Sequence, residues 1–144
     1  MSERFGRDWW PEGVAFPALR LAAGLVLGAL TAAALATGTA VAVTALMGAG
    51  DLARVALQVL FPTAAGFMVF AATFGFAAML GLWSARRRDV KAFAALGAAC
   101  GVVFAFATAM LFGQAPSPTQ PIVMGAAGAL VLLVARWVAG VRPL

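Results

Sequence analysis

Four long apolar stretches divide this chain, at roughly Leu21–Met47, Leu60–Trp83, Ala92–Phe112 and Ile122–Val138. Arg136 is the one charged residue that falls inside any of them. Helices of about 17–25 apolar residues cross the ~30 Å hydrocarbon core of a bilayer, so the pattern predicts an all-α membrane protein with four transmembrane helices and short loops. Hydrophobic residues make up 64% of the 144 and charged residues 10%, which leaves no helix the polar face that a soluble bundle requires. Two units are expected: an interfacial segment over residues 1–20, and a single four-helix transmembrane domain over residues 21–144.

The basic residues give the orientation. Arg4, Arg7 and Arg20 precede the first stretch, and Arg54 alone follows it. Arg86, Arg87, Arg88 and Lys91 lie between the second and third, no charge lies between the third and fourth, and Arg136 and Arg142 close the chain. Nine of the ten Lys and Arg therefore fall on one side of a four-span arrangement. Excess Lys and Arg mark cytoplasmic loops, so both termini are expected in the cytoplasm. The first stretch is too long for the 7–15-residue apolar region of a secretory signal and reads as an anchor.

The net charge of +5 is explained by this topology and needs no nucleic acid. Arg86, Arg87, Arg88 and Lys91 are candidates for contact with anionic lipid or an acidic partner. Trp9, Trp10, Trp83 and Trp137 all map to the same membrane face, where an indole satisfies both its apolar ring and its N–H group. The lack of His, Tyr and Asn, together with abundant Ala and nine Arg against one Lys, points to a GC-rich bacterial genome and an inner membrane.

Packing is written in small residues. Gly24, Gly28, Ala32, Ala36, Ala40, Thr44 and Gly48 recur every four positions in the first span. Gly97, Gly101, Ala105, Ala109 and Gly113 repeat the device in the third. Lipid supplies no hydrophobic drive between helices, so close backbone approach along such stripes holds them together. Gly24, Gly28, Ala32, Ala36, Gly97, Gly101 and Ala105 are the candidate packing residues. Phe67, Phe70 and Phe74 are large side chains at helical spacing in the second span that can fill what the stripes leave open. Pro62 reads as an early residue of that span, and Gly48–Leu57 as a short outer linker.

The chemical inventory is sparse. No Asp, Glu, Lys, Arg or His lies mid-span, where a proton relay or ion path would place one at considerable insertion cost. Without histidine there is no bis-imidazole haem and no Ser-His-Asp triad, and no phosphate- or dinucleotide-binding motif occurs. Lone Cys100 offers no dithiol chemistry. Met47, Met110 and Met124 read as lying near the outer face, where thioethers can hold Cu(I), although methionine more often fills gaps. Thr31, Thr37, Thr39, Thr44, Thr73 and Thr108 are expected to bond their own helix or a neighbouring one, the alternative being that they line a narrow polar path. Arg136, close to a helix end, is expected to extend to the interface.

The expectation is a protein that is not an enzyme, has no cofactor and no metal, and resides in the bacterial inner membrane. Its partners are membrane lipids and other transmembrane subunits or a second copy of itself. An accessory or assembly subunit of a larger complex is the first reading. A small homodimeric channel or transporter is the second, and a lipid-interacting membrane protein the third.

Overall fold

The computed structural model describes residues 17–48, 50–85, 89–115 and 117–140. These residues form helices and turns, with no strand among them. The elements are α1 (Pro17–Leu46), α2 (Leu52–Phe70), a π-helical turn (Ala71–Gly75), α3 (Phe76–Ser84), α4 (Val90–Leu111) and α5 (Thr119–Ala139). They make four helical stretches long and apolar enough to cross a membrane: Leu19–Leu46, Leu52–Leu82, Val90–Leu111 and Thr119–Ala139. Trp9, Trp10, Arg86, Arg87 and Arg88 lie outside the described residues, as does the side chain of Trp83.

The helix ends follow local chemistry. Pro17 opens α1, where its missing N–H leaves no helical bond unmade. The turn between α1 and α2 is tighter than the Gly48–Leu57 linker expected, because Asp51 starts a helix. Its Oδ1 accepts from Ala53 N at 3.1 Å and Arg54 N at 3.3 Å, satisfying orphan donors of the first turn. As a result Pro62 lies eleven residues into α2 rather than in its first turn. An interior proline removes one backbone hydrogen bond and weakens the helix there. Gly140 closes α5 at φ 72°, a left-handed conformation that glycine adopts without strain.

α5 is the centre of the packing. A Cβ built on Gly24 would stand 2.8 Å from Ala135 O, and one on Gly28 would stand 2.6 Å from Val131 O. Numbering rises along α1 as it falls along α5, so the two run antiparallel. α4 meets α5 in the same way: a Cβ on Gly97 would stand 2.5 Å from Gly128 O, and one on Gly101 would collide with Met124 O. α2 packs along α1, and α3 completes the second span. The interior is filled by Phe70, Met79, Phe93, Val131 and Leu132, all under 2% exposed.

α1 is 30 residues long, about 45 Å, against about 32 Å for the 21 residues of α5. Leu46 lies eighteen residues beyond Gly28, whereas Thr119 lies twelve before Val131. The α1–α2 hairpin therefore outruns α5 by about 9 Å at the end away from Arg136.

Candidate functional site

The arrangement that organises this protein is a pair of backbone-close seams on either side of α5. Gly24, Gly28 and Ala32 are buried, while Ala36, Ala40 and Thr44 of the same stripe are half-buried and Gly48 is exposed. On α4, Gly97, Gly101, Ala105 and Ala109 are buried and Gly113 is exposed. Each stripe meets α5 at its glycines, which are positions where any side chain would press on a neighbouring backbone. Both glycine pairs are thus used within one chain, and their glycines are not open to a second copy.

The receiving surface on α5 was not legible as a stripe of period four. Gly125, Gly128, Leu132, Ala135 and Ala139 are all buried, at alternating spacings of three and four. That spacing places them on one buried face of the helix. Its signal in the sequence is small residues at mixed spacing, Gly125, Gly128, Ala135 and Ala139.

Aromatic rings close the opposite side. Phe70 and Phe74 stack with centroids 6.3 Å apart, and both meet Phe104 of α4 edge-on, at 5.4 and 5.8 Å. Edge-to-face pairs of this kind contribute about 0.5–1.5 kcal/mol each beyond their burial. Phe67 is also buried. Phe104 escaped the sequence reading because it interrupts a row of small residues rather than extending one.

At the Arg136 end, the structure departs from expectation. The guanidinium does not simply extend to the interface: its Cζ stands 5.7 Å from the centre of the Phe93 ring, and its Nη2 is buried. Phe93 is fully buried and belongs to α4. Cation–π attraction strengthens as water is removed, which favours this inward placement. Trp137, the next residue, is 80% exposed, a placement open to lipid and suited to an interfacial anchor. Lys91 is exposed at the start of α4.

The threonines do not form a common path. Thr31, Thr39 and Thr73 are exposed on outer faces, and Thr44, Thr63 and Thr108 are half-buried. All six return a hydrogen bond to the carbonyl four residues earlier. Thr37 is 8% exposed, and its hydroxyl has no partner among the described residues. Leaving such a group unpaired costs about 1–3 kcal/mol.

The methionines are not gathered either. The backbone of Met124 packs on Gly101, nine residues and about 13 Å below Met110 along α4. Met47 and Met110 are exposed. No group of three or more His, Cys, Asp or Glu that could hold a metal ion occurs among the described residues. A shallow apolar groove of about 150 Å³ lies between α1 and the second span, lined by Leu25, Val26, Met68, Ala71, Ala72 and Phe76 among others. Compared with protein-family models, curated proteins and solved structures, the chain matches none of them.

Proposed function

We propose that this protein is a non-catalytic accessory or assembly subunit of a larger complex in the bacterial inner membrane, with both termini in the cytoplasm. The observation that carries this reading is the filled interior. Phe70, Met79, Phe93, Val131 and Leu132 occupy the space between helices, and the glycine seams bring backbones together where a path would otherwise open. A solid domain of this kind offers other molecules its outer surface. That surface is apolar along its length, with Leu27, Leu35, Val69, Val103 and Phe106 all exposed. Such faces suit lipid and the helices of partner subunits.

A second reading, a homodimeric channel or transporter, keeps one supporting feature. The second span carries an interior proline, Pro62, and a π turn, and transporters place irregular helices at their substrate sites. Purification in mild detergent with mass spectrometry of co-eluting proteins separates the readings. Stoichiometric transmembrane partners are expected. Saturable, protein-dependent solute flux in proteoliposomes of the pure chain would replace the accessory reading with the transporter.

A further inference from the structure

One face of α2 carries polar groups that the rest of the chain does not answer. Arg54, Gln58, Phe61, Ala65 and Met68 follow one another at spacings of four, three, four and three, and all five are exposed. That alternation lays them along one side of the helix, as a seam of the kind by which two helices pack at about 20°. Phe67 and Phe70, on the opposite side of α2, are buried in the bundle, so the seam points away from it. Gln58 lies about 9 Å from the start of the second span, near the outer edge of the hydrocarbon layer. Its side-chain amide makes no hydrogen bond among the described residues. Its backbone carbonyl also lacks the usual helical donor, because the residue four positions on is Pro62, which has no N–H. Arg54 makes no ion pair among the described residues, and Asp51, one turn before it, engages only its Oδ1, as the cap of α2.

We propose that this face is a homodimer interface, with α2 packed in parallel on α2 of a second copy about a two-fold axis along the membrane normal. The groups left unanswered are the ones that complete each other under that symmetry. A glutamine amide both donates and accepts, so two copies of Gln58 pair across the axis. The remaining N–H of each amide is then available to the carbonyl that Pro62 leaves open. Asp51 and Arg54 carry opposite charges one turn apart, so each Arg54 finds the partner's Asp51 one turn away, in the head-group layer where water is scarce. Below them Phe61 and Met68 alternate with Ala65, large against small, which lets two helices approach closely with side chains interleaved. At Met68 the seam runs into the apolar groove whose far wall is Leu25 and Val26 of α1, which gives room to the facing methionine. Lipid chains suit the apolar positions but offer Gln58 no hydrogen bond. An unrelated helix would need its own amide and its own charge pair at the same heights, whereas a second copy brings both by symmetry. The glycine seams on α5 stay within each copy, so the interface leaves the fold untouched.

The interface goes beyond the accessory reading and does not rest on it. A two-fold axis brings each seam residue to its own copy, so single cysteines in the full Cys100→Ser chain test it. In membranes treated with copper phenanthroline, Phe61→Cys and Ala65→Cys should form disulfide-linked dimers. Leu60→Cys on the same helix and Leu35→Cys on α1, both also exposed, should not. Gln58→Leu should weaken association of the fluorophore-labelled chain in liposomes, read by energy transfer, by about three- to twenty-fold, the worth of one interhelical hydrogen bond. Ala65→Phe should abolish association and leave the circular dichroism of the chain unchanged, because the side chain lies outside the bundle. Cross-linking at Ala65 no greater than at Leu60 overturns the interface, as does a Gln58→Leu chain that associates as tightly as its parent. Dimers that purify with no other subunit leave the interface standing and remove the accessory reading. Other subunits that co-purify with a chain that does not cross-link at Ala65 do the reverse.

Discussion

Glycine-to-alanine substitution should change sign along a single helix, α1. Gly28 and Gly38 share a helix, a residue type and a helical backbone. A Cβ at Gly38 meets nothing within 4 Å, so Gly38→Ala gains the helix preference of alanine, about 0.5–1 kcal/mol, without a packing cost. A Cβ at Gly28 would stand 2.6 Å from Val131 O, whereas ordinary contact begins at 3.4 Å. α1 and α5 would have to part locally by about 0.8 Å. Gaps of about 0.5–1 Å forfeit a quarter to a half of each dispersion contact they open, and in lipid those contacts are what holds the helices. Overpacking of this kind costs about 1–3 kcal/mol, so Gly28→Ala should be destabilising by roughly 0.5–2 kcal/mol after the helix gain. Gly101→Ala, facing Met124 O at closer range, should cost more. Equilibrium unfolding by SDS in mixed micelles, followed by far-ultraviolet circular dichroism, gives the three midpoints. The reasoning is refuted if Gly28→Ala and Gly38→Ala move the midpoint equally or in the same direction.

Phe104→Ala removes both edge-to-face pairs and the packing of a buried ring and should destabilise by about 3–5 kcal/mol in the same assay, with Phe106→Ala, on the outer face, close to neutral. Asp51→Ala removes the acceptor for Ala53 N and Arg54 N and should cost about 0.5–2 kcal/mol, visible as faster amide exchange confined to the first turn of α2. A cysteine at Ser117 in a Cys100→Ser background should react with an impermeant thiol reagent added to intact spheroplasts, and one at Lys91 should not; the opposite pattern reverses the orientation.

Four helices long and apolar enough to cross a membrane were legible because lipid demands long apolar helices with satisfied backbones. The glycine stripes were legible for the same reason, since only small residues permit the approach seen at Gly24, Gly28, Gly97 and Gly101. Their partner was not. Gly125, Gly128 and Ala135 share one face of α5 at mixed spacings of three and four, which a strict period of four does not follow. The start of α2 was misplaced because Leu52–Val59 is less uniformly apolar than the rest, while the capping carboxylate of Asp51 decides the boundary. The π turn leaves no sequence signature among Ala71, Ala72, Thr73, Phe74 and Gly75.

The central role of α5 has a consequence for how the domain forms. Spans emerge in order during synthesis, and α5 is the last of them. Until it arrives, the glycines of α1 and α4 have lost lipid contact area without gaining a partner backbone. In the folded chain both glycine pairs meet α5: Gly24 and Gly28 at Ala135 and Val131, Gly97 and Gly101 at Gly128 and Met124. A chain ending before Thr119 should therefore remain a loose set of three spans, sensitive to membrane proteolysis. Co-expression of residues 114–144 as a separate segment should restore it, since the segment brings α5 whole and the described residues of its connection to α4 are exposed. Restoration that fails when Gly128→Leu is placed in the segment, but survives Ala126→Leu on its exposed face, would trace the rescue to the seam. If the truncated chain is as protease-resistant as the full one, α5 is not the hub of assembly and the seams only record where the helices come to rest.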